Sequence, residues 1–362
     1  MTVTYLDNNA TTAVAPEVLD AMLPFFKERY GNASSMHSFG GDCVHDLAAA
    51  REKVAALIGA SPDEIIFTSC GTESDSAAIR SALQVNLGKR HIVTSRVEHP
   101  AVRALCAWLG ERGYRVTEVG VNGEGLLDMA ELEWALTPDT AVVSIMWANN
   151  ETGVIFPVER IAEMCRERGI LFHTDAVQAV GKIPMDMRKA AVNMLSLSGH
   201  KLHAPKGIGV LYVRKGTPFE PLMIGGHQER GRRAGTENIA FIVGLGRACE
   251  LAAVAIEEET TRVKALRDRL EEGLLKMVPE SRLNGHKTQR LPNTTNVGFR
   301  YVEGEAILLL LHMGGLKRAG GARRPRRRAD ALPCAERDGR SHGLQAKRDA
   351  LQPQPVYHRC RH

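Results

Sequence analysis

The sequence predicts an α/β protein in which a mostly parallel central sheet is flanked by helices. Short apolar segments rich in β-branched residues alternate with longer helical segments, as in parallel strands joined by crossover helices. Such strands are apolar throughout because both faces of the sheet are covered. A length of 362 residues favours two domains over a single core.

The predicted elements follow one another at regular spacing. Five strands are predicted at residues 64–68, 91–94, 141–146, 170–173 and 209–213. Three helices lie between them, at residues 74–85, 100–112 and 157–168. Ligands of such sheets bind beyond the carboxyl ends of the strands, so residues that directly follow a strand are the first candidates for a site.

A long helix is predicted over residues 252–277, where apolar residues recur at three- and four-residue steps and form one stripe. These residues are Val263, Leu266, Leu270, Leu274 and Met277. Alternation over 295–299 and an apolar run over 303–311 then indicate a smaller α/β domain. We predict a large domain over 16–250 and a small domain built from 1–15 and 251–315.

The composition is that of a soluble globular protein, with 44% hydrophobic and 25% charged residues. No apolar run reaches the roughly 18 residues of a membrane span, and no secretory signal is visible, so we expect no membrane association. Seven scattered cysteines indicate reduced thiols in a cytoplasm. No CxxC or HExxH motif occurs, so we expect no metal site.

The charge is unevenly distributed. Residues 317–362 contain thirteen Lys or Arg and four Asp or Glu, a net charge of +9, whereas the whole chain carries +5. The body is therefore mildly acidic. A basic run can bind nucleic acid, but this one lacks interleaved aromatic residues, and we expect no nucleic-acid partner. We expect the atypical tail, residues 316–362, to be poorly ordered.

Two residues that follow strands point to a cofactor. Asp175 and Lys201 each come after a short apolar run. A lysine that holds pyridoxal phosphate (PLP) covalently and a carboxylate that pairs with its ring nitrogen are the two fixed points of PLP chemistry. A lysine after a strand is more often a plain surface residue, so the interpretation depends on its neighbours.

Several neighbouring motifs suit a phosphate and a flat ring. The turn 69–73 follows a strand, and its Gly71 allows close approach to a helix start that can bind phosphate, although plain capping by Thr72 explains it equally well. His99 could stack on a ring, although a lone histidine is more often structural. Asn149 and Asn150 could stitch a loop, or they could hold a cofactor hydroxyl or a substrate carboxylate. The Gly- and Arg-rich segment 225–238 is typical of an anion-binding loop.

Together these residues resemble the class V PLP-dependent enzymes of the aspartate aminotransferase fold (fold type I), and specifically the cysteine desulfurases of the nitrogen-fixation type. The resemblance covers about residues 3–315. It rests on an ordered set of motifs at residues 5–12, 31–37, 70–73, 98–99, 149–151, 175–178, 198–201 and 232–236.

The resemblance implies a role for each site residue. Lys201 would hold PLP and shuttle the α-proton, and His99 would stack on the ring and help to move protons. Asp175 would pair with the ring nitrogen and Gln178 with the ring oxygen. Asn150 would hold the substrate carboxylate. The phosphate would be bound by Thr72, Ser198, His200 and, from the partner subunit of a homodimer, Thr236. Gly71 and Gly199 would be further cofactor-binding residues.

The implied reaction converts L-cysteine to L-alanine and transfers sulfur to an enzyme cysteine as a persulfide. An iron–sulfur scaffold protein for nitrogenase would accept that sulfur. Here the sequence departs from the family, because the nucleophilic cysteine would fall at Arg324. Cys334 and Cys360 are the only thiols of the tail, and neither lies in the family motif.

We hypothesise that a shifted reading frame produced this departure. Residues 348–361 can be back-translated so that dropping one nucleotide yields a stretch similar to the family's substrate-binding Arg-Phe-Ser-Leu-Ser-Arg. A clean gene sequence that encodes Arg324 would defeat this hypothesis.

Three other interpretations stay open at this point. A chain that is real as written would bind PLP without desulfurase activity. Another class V enzyme, such as an aminotransferase or a selenocysteine lyase, would give a different product. A nucleic-acid binder would show steep salt dependence.

Overall fold

The computed structural model describes residues 4–313, which form an α/β structure around a seven-stranded sheet. The strand order is β1-β7-β6-β5-β4-β2-β3, and only β7 runs antiparallel to its neighbours. The strands are β1 (Ile65–Thr68), β2 (His91–Ser95), β3 (Arg115–Val119), β4 (Thr140–Ser144), β5 (Leu171–Asp175), β6 (Met194–Ser198) and β7 (Gly209–Val213). The prediction of a mostly parallel sheet is confirmed.

Helices cover both faces of this sheet. They are α1 (Pro16–Met22), α2 (Pro24–Lys27), α3 (Ser38–Ile58), α4 (Gly71–Val85), α5 (Pro100–Gly110), α6 (Met129–Ala135), α7 (Val158–Glu167) and α8 (Ile239–Glu258). Neighbouring strand residues enter separate apolar clusters: Val142 and Met194 pack on one face, and Val143 and Leu195 on the other. Both faces are therefore core, as the apolar strands predicted.

The long helix begins earlier than predicted. It starts at Ile239 rather than at residue 252, and it continues through a π-helical turn (Glu259–Val263) into α9 (Lys264–Met277). The first half of this helix was not predicted because it contains Gly244 and Gly246, and glycine normally disfavours a helix. A Cβ on Gly246 would lie 2.7 Å from the Ala50 Cα, so glycine is needed where α8 crosses α3.

The predicted apolar stripe on α9 is not its buried face within the described chain. Leu266 and Leu270 are about half exposed, whereas the charged Arg267 and Glu271 are buried. Glu271 pairs with Arg290 at 2.5 Å, so the helix is fixed by charge rather than by the stripe.

A two-stranded antiparallel sheet and one more helix follow α9. They are β8 (Ser281–Leu283), β9 (Val297–Phe299) and α10 (Gly304–Met313). The predicted strand and helix after residue 290 are thus present. The division into two domains stays a prediction, and the predicted disorder of 316–362 lies outside the described residues.

One continuous helix, Ile239 to Met277, is long and apolar enough to cross a membrane by length and composition alone. The buried side chains of its first part, among them Ile242 and Leu245, belong to the main core cluster, and α8 packs against α1 and α3. A core helix passes the same test, so this helix is weak evidence for a membrane.

Candidate active site

The parallel strands β5 and β6 bring two predicted site residues to one edge of the sheet. Asp175 is the last residue of β5, and it pairs in register with Ser196 of β6. Strand β6 ends at Ser198, and a single 3₁₀ turn, Gly199–Lys201, follows directly. Lys201 and Asp175 therefore lie beyond neighbouring strand ends, where such sheets bind ligands.

Lys201 is held by the backbone near the N-terminus. Its Nζ donates to the carbonyl oxygens of Asn9 and Ala10, the latter at 2.8 Å. Burial lowers the pKa of Lys201 to about 8, although the charges of Asp175 and Asp7 oppose the fall. A sizeable fraction of the amine is then neutral near pH 7–8, and the neutral amine is the form that attacks a carbonyl.

Asp175 is a buried carboxyl that a nearby cation would stabilise in its ionised form. Burial raises its pKa to about 6, against the opposing effects of a hydrogen bond from Val177 N and the charge of Lys201. That hydrogen bond, from Val177 N to Oδ1, is 3.0 Å long. A cation placed against this carboxyl would lower its pKa and favour the ionised form.

Asn9 joins the site residues together, a role that is not predicted from the sequence. Its carbonyl oxygen accepts from both Lys201 Nζ and Gln178 Nε2, the latter at 3.0 Å. Its side-chain Nδ2 donates to the Asn150 carbonyl oxygen at 3.3 Å and to Thr294 Oγ1 at 3.0 Å. The motif at residues 5–12 was the available signal, because it places two adjacent asparagines before the Thr-Thr pair.

The amino end of α4 lies beside the end of β6. A Cβ on Gly71 would lie 3.0 Å from Val177 Cγ2 and 3.6 Å from Ser198 Cβ, so Gly71, Ser198 and the loop after Asp175 are close together. Thr72 is exposed in the first turn. The first N–H groups of a helix have no partner within it, and Cys70 supplies no side-chain cap. This turn can therefore bind an anion.

The two predicted site histidines have different surroundings. His200 Nδ1 lies 3.1 Å from Thr11 Oγ1. Burial, followed by the charges of Lys201, Lys206 and His99, lowers the pKa of His200 to about 4, so its ring is neutral. His99 is exposed at the start of α5, where its Nδ1 accepts from Ala101 N at 3.2 Å.

The adjacent asparagines make different contacts. The Asn149 Oδ1 accepts from the backbone N–H groups of Glu151 and Thr152, at 3.0 and 2.9 Å, and its Nδ2 donates to the Val97 carbonyl oxygen at 3.2 Å. Asn149 therefore stitches the loop. Asn150 is half-buried and is tied to Asn9 only through its carbonyl oxygen in the contacts described.

The Gly- and Arg-rich loop reaches the first turn of α4. Arg233 Nε donates to Glu73 Oε1 at 2.9 Å, while Thr236, three residues further on, is exposed. Within a single chain, Arg233 therefore links this loop to α4.

A layer of buried polar groups lies under Asp175. His173 is fully buried between Ser144 Oγ and Ser196 Oγ, each 2.9 Å from one ring nitrogen, and its Nε2 lies 3.6 Å from Asp75 Oδ1. Burial and the charge of Asp175 raise the pKa of Asp75 well above its usual range. Burial also raises the pKa of Glu98, which precedes His99, to about 8.

The thiols of the described chain are all free. Burial raises the pKa values of Cys106, Cys165 and Cys249 to about 12, which makes them poor nucleophiles. Cys43 is buried and Cys70 is half-buried. Arg324, Cys334 and Cys360 lie outside the described residues. Within residues 4–313, no group of three or more His, Cys, Asp or Glu side chains could hold a metal ion.

Comparison with known proteins agrees with this geometry. Residues 4–323 match the aminotransferase class-V family, so the chain belongs to that family, whose enzymes are PLP-dependent. Within it the chain groups with the cysteine desulfurases.

Two relatives and one solved structure illustrate the likeness. The chain is 59% identical to a cysteine desulfurase of Trichormus azollae, over 89% of this chain and 80% of the relative. It is 56% identical to the cysteine desulfurase NifS of Azotobacter vinelandii, over 88% and 79%. A solved NifS-like protein superposes with a TM-score of 0.84 at 41% identity, and the match covers 87% of each chain. The fold class and family predicted from the motifs are confirmed.

The residues present fit PLP. A buried carboxyl with a raised pKa suits a ring cation, a half-buried amine with a lowered pKa suits a carbonyl, and an uncapped helix start beside Ser198 suits a phosphate. These three groups lie at the same edge of the sheet.

Proposed function

We propose that this chain binds PLP on Lys201 and uses it to convert L-cysteine to L-alanine, with release of sulfur to an acceptor. The observation that carries the proposal is the pair formed by Lys201 and Asp175. A half-buried amine with a pKa of about 8 and a buried carboxyl with a raised pKa lie beyond two neighbouring strand ends, and their charges interact. When bound, PLP supplies an electron sink for the electrons of the substrate Cα–H bond.

The residues nearest the ring divide the remaining work. Lys201 would take and return the proton at the substrate Cα, because its neutral amine is accessible near neutral pH. Asp175 would keep the ring nitrogen protonated, and Gln178 would contact the ring oxygen. His99 would lie on the ring face. Asn150 would help to hold the substrate carboxylate.

The phosphate would be bound at the amino end of α4. The contributing groups would be the Gly71 and Gly199 backbone, Thr72, Ser198, His200 and Thr236 of the partner subunit. A neutral His200 suits this place because it can donate an N–H group without needing a buried counter-charge.

A second candidate is a chain that binds PLP but does not transfer sulfur. It is favoured by Arg324, which stands where the family's nucleophilic cysteine would fall. The family match ends at residue 323, immediately before this position. The two candidates differ only in the sulfur step, because they share the same cofactor site.

Further partners are also part of the proposal. We infer a homodimer, an iron–sulfur scaffold protein as sulfur acceptor, and a cytoplasmic location. Support for a reducing compartment comes from the five described cysteines, which are all free. Support for the scaffold comes from the likeness to a desulfurase named NifS.

The test is to incubate the purified chain with PLP, L-cysteine and dithiothreitol, and to measure alanine and sulfide. We expect both products from the unsubstituted chain and neither from Lys201→Ala. Lys189→Ala is the matched control, because its side chain is 85% exposed and it lies outside the site. PLP binding without either product would favour the second candidate, and equal turnover by Lys201→Ala would contradict both.

A further inference from the structure

A strained turn lies in the Gly- and Arg-rich loop. Glu229 and Arg230 have φ values of 48° and 59°, and Gly231 follows with a φ of 76°. Two consecutive non-glycine residues in the left-handed region are uncommon. Such strain persists only where surrounding contacts hold the backbone in place.

The Glu229 side chain makes those contacts. Its Oε2 and Oε1 accept from Arg51 Nη1 and Nη2 at 2.8 and 2.7 Å, a two-bond pair in which the Glu229 side chain is only 3% exposed. Its Oε2 also accepts from Phe67 N at 3.0 Å. Arginine–carboxylate pairs of this geometry are strong and directional.

Arg51 is itself fixed between two elements of the large sheet region. It projects from α3, donates through Nη1 to the Ile65 carbonyl oxygen at 2.7 Å, and lies 4.6 Å from the centroid of the Phe67 ring. The turn is therefore attached to both α3 and β1 through one carboxylate.

The turn determines where the rest of the loop runs. Gly235 N donates to Gln228 Oε1 at 3.1 Å, which closes the loop on the turn. Arg233 lies between them, and its guanidinium pairs with Glu73 in the first turn of α4. Thr236, which is proposed to reach the phosphate bound in the partner subunit, directly follows this closed segment.

We propose that Glu229 is a positioning residue for PLP binding: its pair with Arg51 holds the strained turn and so places Thr236, at the end of residues 227–236, for the phosphate bound in the partner subunit. The inference rests on the proposed function, because the loop matters here through the cofactor phosphate. A role in stability alone would not require the strain.

The first experiment compares Glu229→Gln with the unsubstituted chain by PLP titration, followed by absorbance. We expect PLP affinity to fall about tenfold or more, since strain of this kind is worth about one factor of ten per residue. Trypsin should also cleave within 230–233 faster in the variant. Glu250→Gln is the control, because it removes an exposed ion pair with Lys53. Lys53 lies on α3, the helix that also carries Arg51.

The second experiment is a rescue. Arg230→Gly, added to Glu229→Gln, lets the turn adopt its positive φ at little cost. We expect it to restore part of the lost affinity and to slow the cleavage after Arg232 and Arg233, which both variants retain. A purely stabilising ion pair would not be rescued by glycine. Arg51→Lys, which keeps the charge but loses the two-bond geometry, should give a smaller loss if Glu229→Gln fails to fold.

The outcomes separate the two ideas. Unchanged affinity and an unchanged trypsin pattern in Glu229→Gln would overturn this inference alone, and so would a loss that Arg230→Gly does not relieve. Failure of the unsubstituted chain to bind PLP would overturn the proposed function, and the trypsin pattern would still decide whether Glu229 holds the loop.

Discussion

At the scale of single residues, the site depends on which of three buried carboxyls is ionised. Asp75 and Glu98 both interact with Asp175, and burial raises the pKa of each. Carboxyls buried so close together do not ionise together. We infer that Glu98 stays protonated near pH 7, and the raised pKa of Asp75 favours its neutral form as well. The negative charge is then left to Asp175, where a ring cation would meet it.

The protonation state of Glu98 can be tested through the pH dependence of the unfolding free energy. The pKa of Glu98 is raised from 4.5 to about 8, so the folded chain binds the extra proton between these values and loses stability as the pH rises through them. Glu98→Gln removes the titration. We expect the cofactor-free variant to match the parent near pH 4.5 and to be roughly 2–4 kcal/mol more stable at pH 9.

Urea unfolding at the two pH values measures this difference. Glutamine can keep the hydrogen bonds that Glu98 Oε1 accepts from Ser95 Oγ and Met146 N. A variant whose stability differs from that of the parent by the same amount at both pH values would show that folding does not raise the pKa of Glu98.

Side-chain chemistry made part of the site predictable. Lys201 and Asp175 are visible in the sequence because a PLP site requires their residue types after strands. The contribution of Asn9 was not visible, since it comes mainly from a backbone carbonyl oxygen, which every residue has. Asn149 and Asn150 look alike in sequence, and only the contacts separate them.

At the scale of secondary structure, strand β7 packs closely against the turn before α4. A Cβ on Gly209 would lie 2.7 Å from the Cys70 carbonyl carbon and 2.9 Å from its Cα. These are backbone atoms, which cannot yield as a flexible side chain can. Glycine at the start of β7 therefore allows the anion-binding turn to approach the sheet.

Gly209→Ala tests this packing. We expect a loss of about 1–3 kcal/mol in unfolding free energy, typical of overpacking, together with weaker PLP binding. Urea unfolding and PLP titration measure the two effects. Gly88→Ala is the matched control, because its Cβ would meet nothing within 4 Å. Equal behaviour of the two variants would contradict the account.

The elements that the sequence predicted well are the fully buried ones. Strand β7 was predicted at its observed bounds, since all five of its residues are buried and apolar or glycine. Strand β3 was missed because it lies at the edge of the sheet and mixes Arg115 and Glu118 with apolar residues. The apolar stripe on α9 did not predict its buried face, because buried charged residues rather than apolar ones fix that helix.

The whole molecule presents apolar side chains around α1 and α2. Leu19, Leu23 and Phe26 are 44–54% exposed there. A soluble protein usually covers such a group of residues with a partner, so it supports the proposed homodimer.

Leu23→Glu should therefore shift the chain toward a monomer, since a buried unpaired charge opposes association. Sedimentation velocity measures the change. Trp134→Glu is the control, because Trp134 is exposed on α6, which packs against the edge strand β3. A parent chain that sediments as a monomer would contradict the proposed homodimer.

The proposed chemistry requires, above all, covalent attachment of the cofactor to one amine. The direct measurement is borohydride reduction of the PLP-loaded chain, followed by peptide mapping by mass spectrometry. The account predicts that the added mass lies on Lys201 and disappears in Lys201→Ala. Label on another lysine, or none at all, would contradict it.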